Sequence, residues 1–154
     1  METIKIRHHH LCHHPHDKLT LWDCGGESSI RSAWSYHYSN TSLLLWLINA
    51  HDRSRLDASL HLLSQILTNP LLYRVPVLIV LYHSPSDQFY REESDESDTS
   101  NLLTNLEVAF RFLATISSSR ASTFQWQVIN VTLETDPRGD FKKIEHAFRN
   151  LMKL

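Results

Sequence analysis

The chain has 154 residues and a mass of 18.0 kDa, which suits one domain built around a single core. Its 15 basic and 17 acidic residues leave a formal net charge of −2, and no polybasic stripe stands out, so nucleic acid is not an expected partner. No run reaches the roughly eighteen apolar residues of a membrane span, and METIKIRHHH holds neither an apolar signal core nor a glycine after Met1 for myristoylation. Cys12 and Cys24 are a lone pair on opposite sides of a turn-like segment, a pattern that favours free thiols in a reducing compartment. Composition therefore points to an intracellular and, in the simplest case, cytoplasmic chain.

Thr3–Arg7 (TIKIR) alternates apolar and polar residues, as a half-buried strand does. HHHLCHHPHD reads as an interruption, and Lys18–Asp23 resumes as a second strand, so the two form an antiparallel pair joined by a long turn. Ser42–Ala50 (SLLLWLINA) is apolar at almost every position and fits a strand buried on both faces. His51 and Asp52 then begin a helix or turn. Leu56, Leu60, Leu63 and Leu67 recur at helical spacing, and Asn69-Pro70 ends that helix. Val75–Tyr82 (VPVLIVLY) is a further buried strand. The polar, acidic stretch over 84–101 reads as a flexible insert, with Glu92–Asp98 a solvated loop. A helix near Leu102–Ile116, a strand near Thr123–Val131 and a final helix near Phe141–Lys153 complete the order. Phe110, Leu113, Phe148 and Leu151 read as core faces of those helices. Apolar strands alternating with amphipathic helices give an α/β class with a mostly parallel sheet.

Ligands of such sheets bind beyond the carboxyl ends of strands. Asp23-Cys24-Gly25-Gly26 stands at one such end. An Asp there can hold a hydrated Mg²⁺, and neighbouring glycines let a backbone N–H approach a phosphate oxygen. Taken by itself, an Asp-x-Gly-Gly sequence after a strand is commonly only a turn.

The wider stretch WDCGGESSIRSAWSYHYSNTSLLLWLINAHDRSRL resembles the second switch segment and following strand of the ADP-ribosylation-factor-like small GTPases. Trp22, Asp23, Gly25, Gly26, Ile30, Arg31, Trp34, Asn40 and Thr41 fall into the family's register, as do Asp52, Arg53 and Arg55. Glu2-Thr3 matches the start of the family's strand after the first switch. The resemblance implies a P-loop-GTPase-like sheet flanked by helices, one domain over 1–154 that starts downstream of the first strand, phosphate loop and first helix. It assigns Asp23 to water-mediated Mg²⁺ contact and Gly26 to the γ-phosphate, with Gly25 between them as part of a vestigial phosphate and Mg²⁺ site. It assigns Glu27 to the place of the Gln that orients the attacking water. A carboxylate at that place donates no hydrogen bond while ionised and repels a triphosphate.

Other parts depart further from the family. G-x-x-x-x-G-K-[ST] does not occur: Gly25, Gly26 and Gly139 are the only glycines, and none precedes Lys-Ser or Lys-Thr. The guanine-reading N-K-x-D falls on His83-Ser84-Pro85-Ser86, with Asp87 one residue late. The resemblance places the absent first strand between those matching Lys18–Asp23 and Ser42–Ala50. Its loss leaves either a re-paired sheet or two unpaired edges, which favours closure by an added strand or a permanent protein partner.

His8, His9, His10, Cys12, His13, His14 and His16 crowd into nine residues that the resemblance places on a turn. Imidazoles and a thiol at this density bind Zn²⁺, Ni²⁺ or Cu²⁺ in vitro, and their irregular spacing fits a solvated His-rich loop as well as a metal or pH-sensing site. Trp22, Trp34, Tyr36 and Tyr38 suit either an effector-binding surface or anchors of the switch to the core. Cys24, His37 and His83 lack the context of a catalytic group. The expected function is a degenerate Arf-like pseudo-GTPase without cofactor, serving as a protein-binding or scaffold module. The alternative is a GTP- or GDP- and Mg²⁺-binding switch protein of membrane or vesicle traffic, with peripheral membrane association left open.

Overall fold

The computed structural model describes residues 7–14, 17–83, 125–132 and 137–152. The chain divides into two compact units, Met1–Thr41 and Ser42–Leu154. The insert over 84–101, the helix near Leu102–Ile116 with Phe110 and Leu113, and Glu2-Thr3 lie outside the described residues, as does His16.

In the first unit, strand β1 (Arg7–His14) pairs antiparallel with β2 (Asp17–Asp23). The register sets Arg7 opposite Asp23, His8 opposite Trp22, His10 opposite Thr20 and Cys12 opposite Lys18. An irregularity falls between Cys12 and His14. An antiparallel partner for Lys18–Asp23 was expected from Thr3–Arg7, of which Thr3–Ile6 lie outside the described residues; the partner strand is instead the His-rich segment that reads as a turn. A ladder is made by backbone N–H and C=O groups, and histidine, with a donor and acceptor on every residue, does not interrupt it. After β2 and a short loop comes a 3₁₀ helix of 13 residues, Ser28–Asn40, far beyond the usual three or four. Ile30 and Trp34 are its buried positions.

The second unit is a parallel sheet in the order β3 (Leu44–Asn49), β4 (Val77–His83), β5 (Trp126–Thr132). Leu44 pairs with Val77 and Asn49 with Tyr82. Val77 pairs with Trp126 and His83 with Thr132. Helix α1 (Arg53–Leu67) connects β3 to β4, and α2 (Pro137–Met152) follows β5. Parallel neighbours require such crossovers, because their ends lie at opposite edges of the sheet.

Two cores cover the two faces of this sheet. Ile48, Ala50, Val77, Ile79 and Leu81 bury one face with Leu63 of α1. Leu78, Val80 and Val131 bury the other with Ala147 and Leu151 of α2. Central β4 is sealed on both sides, with Val77–Leu81 at most 2% exposed. Strand β3 departs from the expectation of burial on both faces, since Leu47 is 59% exposed. It has one strand neighbour among the described residues, whereas β4 has two. Among the described residues β1 and β2 form a two-stranded sheet and β3, β4 and β5 a three-stranded one.

Local chemistry sets the boundaries. Asp52 caps α1 by accepting from the Arg55 N–H at 3.3 Å. Asn69 accepts from the Leu71 N–H at 2.9 Å, and Pro70 opens a short 3₁₀ helix, Pro70–Leu72. Helix α2 starts at Pro137, four residues before the expected Phe141, because Pro fits the first turn of a helix. The architecture is α/β, a parallel three-stranded sheet flanked by helices, consistent with part of a P-loop-GTPase-like fold. No helix among the described residues is long and apolar enough to cross a membrane.

Candidate functional site

Strand β2 ends at Asp23, and the chain leaves it through Cys24, Gly25, Gly26 and Glu27 before the long 3₁₀ helix begins. Asp23, Gly26 and Glu27 are exposed. A Cβ at Gly25 would stand 2.5 Å from Ile30 Cδ1, so the glycine allows Ile30 to close over the loop. A Cβ at Gly26 would meet nothing within 4 Å. Gly25 is thus a packing glycine and Gly26 an open one.

The 3₁₀ helix reaches back to the loop. The Trp34 indole Nε1–H donates to the Gly25 carbonyl oxygen at 3.0 Å, and the Arg31 Nε–H donates to the Gly26 carbonyl oxygen at 3.1 Å. Both glycine carbonyls are therefore held by side chains of the following element. Thr41 closes the helix, its hydroxyl donating to the His37 carbonyl at 2.7 Å.

The four candidate aromatics divide by exposure. Trp34 is buried at 9% exposure, whereas Tyr36 is 81% and Trp22 48% exposed. The Trp22 ring lies against His37, with centroids 4.5 Å apart, and Tyr38 is half-buried. Burial, and then the Asp23 carboxylate, raise the Cys24 thiol above its ordinary value. Burial, and then Cys24, raise the Tyr38 hydroxyl in turn. A raised thiol is a poor nucleophile at neutral pH.

The Asp23 carboxylate is exposed, and the backbone at Gly26 is unobstructed. Glu27, exposed beside them, is the carboxylate that the resemblance sets at the place of the family's Gln. Strand β4 ends at His83, where the resemblance sets the first position of the family's guanine-reading motif. Ser84, Pro85 and Ser86 lie outside the described residues. The described residues do not fit a complete guanine-nucleotide site, and no catalytic step follows from them.

Of the His-rich candidates, His8, His9, His10, Cys12, His13 and His14 lie along β1. Among the described residues no group of three or more His, Cys, Asp or Glu side chains could hold a metal ion. One histidine pair escaped the sequence reading. His83 Nδ1 and His51 Nε2 stand 3.4 Å apart, with the rings edge-on at 5.2 Å between centroids. The residues are 32 apart in sequence, and only the parallel register of β3 and β4 joins them.

A model of the ADP-ribosylation factor family matches residues 2–130. The chain is 40% identical over 62 residues to ADP-ribosylation factor-like protein 3 of Caenorhabditis elegans, covering 40% of this chain and 34% of that protein. It is 21% identical over 118 residues to ADP-ribosylation factor-like protein alp41 of Schizosaccharomyces pombe, covering 77% of this chain and 54% of that protein. The matched region thus spans about a third to a half of these relatives' lengths.

Proposed function

Because the chain belongs to the ADP-ribosylation factor family, we propose that it is a small-GTPase-like module that binds protein partners without switching on GTP. The observation that carries this reading is the double tether of the loop after β2. Trp34 holds the Gly25 carbonyl and Arg31 the Gly26 carbonyl, so the chain's own side chains fix the loop. A ligand shifts a conformational equilibrium only by its differential affinity for two states. Glu27 weakens that differential further, because a carboxylate near a γ-phosphate repels it and cannot donate to the attacking water. The reading therefore includes neither a nucleotide cofactor nor GTP hydrolysis.

The binding surface is assigned to the exposed aromatics beside the loop, Trp22 and Tyr36, with Tyr38 at its margin and Trp34 as the buried support. Exposed aromatic rings contribute large contact area at low conformational cost. A second contact is assigned to strand β3, where exposed Leu47 offers an apolar position to a partner that adds a strand to the sheet. The proposed setting is intracellular.

A second reading is favoured by one observation, the open backbone at Gly26 beside exposed Asp23. That corner would admit the γ-phosphate and Mg²⁺ of a GTP-binding switch protein of membrane or vesicle traffic. Backbone ¹H–¹⁵N spectra of the full chain, titrated with Mg·GTP, separate the two. The module reading expects the Gly25 and Gly26 amides to stay in place up to millimolar nucleotide. A Gly26 shift that saturates at micromolar nucleotide and tightens in Glu27→Gln would overturn it in favour of the switch.

A further inference from the structure

His51 and His83 meet at the carboxyl ends of two adjacent parallel strands, the region of an open α/β sheet where ligands bind. Their facing nitrogens are 3.4 Å apart. Zinc–imidazole bonds of about 2.0–2.1 Å at the tetrahedral angle require two ligand nitrogens about 3.3–3.4 Å from each other. The observed gap is the edge of such a tetrahedron. We propose that His51 and His83 form an open transition-metal site for Zn²⁺ or a similar borderline divalent ion, with water in the remaining positions.

Hydrogen bonds hold the chain segments that carry the two histidines. The His51 N–H donates to Asn49 Oδ1 at 2.9 Å, which fixes the turn after β3. The Ala50 N–H donates to the Tyr82 carbonyl at 2.9 Å, which carries the β3–β4 register past the end of β3 and up to His83. Nδ1 of one ring and Nε2 of the other face the gap, and either ring nitrogen can ligate when neutral. Asp52, although adjacent to His51, is engaged by Arg55 and Ser54 and is not part of the site.

A second observation lies one diagonal step away. Asn130 pairs with Leu81 across β4 and β5, and His83 pairs with Thr132, so Asn130 and His83 belong to the same face of the sheet. The Asn130 Oδ1 atom is buried without a hydrogen-bond partner. A buried acceptor of this kind calls for a donor, and metal-bound water is a strong one. Two protein ligands and a polar neighbour make an open site, not a closed structural cage, which agrees with the absence of any larger ligand cluster among the described residues.

The competing occupant of the gap is a proton shared between the rings. Zinc and a proton at this position make different predictions, and the histidines of β1 provide an internal comparison. The experiment titrates the full chain with Zn²⁺ alone and follows each imidazole by long-range ¹H–¹⁵N spectra. The proposal expects the His51 and His83 ring signals to shift together with one midpoint. Changes around a metal's direct ligands already weaken binding by about 10–100-fold. His51→Ala should therefore weaken the His83 response by about tenfold or more, and His83→Gln the His51 response. Co²⁺ in place of Zn²⁺ should give the visible absorption of a four-coordinate centre, reduced by one equivalent in either variant. Melting curves of both variants confirm that they fold; should either fail to fold, the wild-type ring shifts and Co²⁺ spectrum decide alone. Ring signals of His51 and His83 that stay fixed while the β1 histidines saturate would overturn the site, as would responses that survive each other's replacement with unchanged midpoints.

Discussion

The indole N–H of Trp34 donates to the carbonyl oxygen of Gly25 across nine residues, at 3.0 Å. This bond joins the end of β2 to the middle of the long 3₁₀ helix and makes Trp34 a support for the loop. Trp34→Phe keeps an aromatic ring at this position and removes the donor. It should cost about 1 kcal/mol, the usual worth of one such bond. Hydrogen exchange should quicken at residues 24–27 and stay unchanged in β4. Exchange that rises equally in both places would mean that Trp34 acts on global stability instead.

Cys24 should react slowly with iodoacetamide at neutral pH, since burial and the Asp23 charge both raise its thiol. Asp23→Asn removes the second cause, lowers the thiol's pKa and should speed alkylation. The comparison is made in a Cys12→Ser background so that one thiol reports. An unchanged rate would show that burial alone sets the reactivity.

Asp52 should make stability depend on acid. Its carboxyl is held below the ordinary value by the Arg55 guanidinium first and the Ser54 hydroxyl second. A depressed native value means stabilisation that is fully present above the unfolded value of about 3.9 and is lost as pH falls through the native one. Thermal melts should therefore show a loss that sets in as the pH falls below about 4. Asp52→Asn, which can still cap the helix, should flatten that loss. Arg55 is 83% exposed, so added salt should shrink the difference as well.

Leu63 and Leu47 should behave oppositely although both lie in leucine-rich runs. Leu63 is fully buried between α1 and the sheet, and Leu63→Ala should cost about 2–5 kcal/mol. Leu47 is 59% exposed, so Leu47→Lys should change stability by no more than about 0.5 kcal/mol. Chemical denaturation measures both. A large loss from Leu47→Lys would place that side chain against a surface that the present structure does not bury.

The contrast between these leucines also shows what could be read from the sequence. VLIVL in β4 announced itself because it is buried on both faces, and α1 did so because four leucines recur at helical spacing. SLLLWLINA carries the same apolar signal, yet β3 leaves Leu47 exposed, because burial depends on neighbours that periodicity does not reveal. The His-rich strand was missed since its ladder is made by backbone groups and its side chains carry no apolar alternation. Pro137 was a usable sign of an earlier start to α2. The loop after β2 was legible as a motif, but its tethers were not, for Arg31 and Trp34 reach it only through the geometry of a 13-residue 3₁₀ helix. The His51–His83 pair had no local signal at all.

The central proposal is that this Arf-family chain binds protein partners without responding to guanine nucleotide. Its most direct test is an equilibrium titration of the folded chain with fluorescent GTP and GDP in Mg²⁺, with Asp23→Ala as the control. The account predicts no saturable binding up to millimolar nucleotide and identical traces for the two proteins. Micromolar or tighter binding that disappears in Asp23→Ala would contradict it, and would restore Asp23 and Gly26 as a working phosphate and Mg²⁺ site.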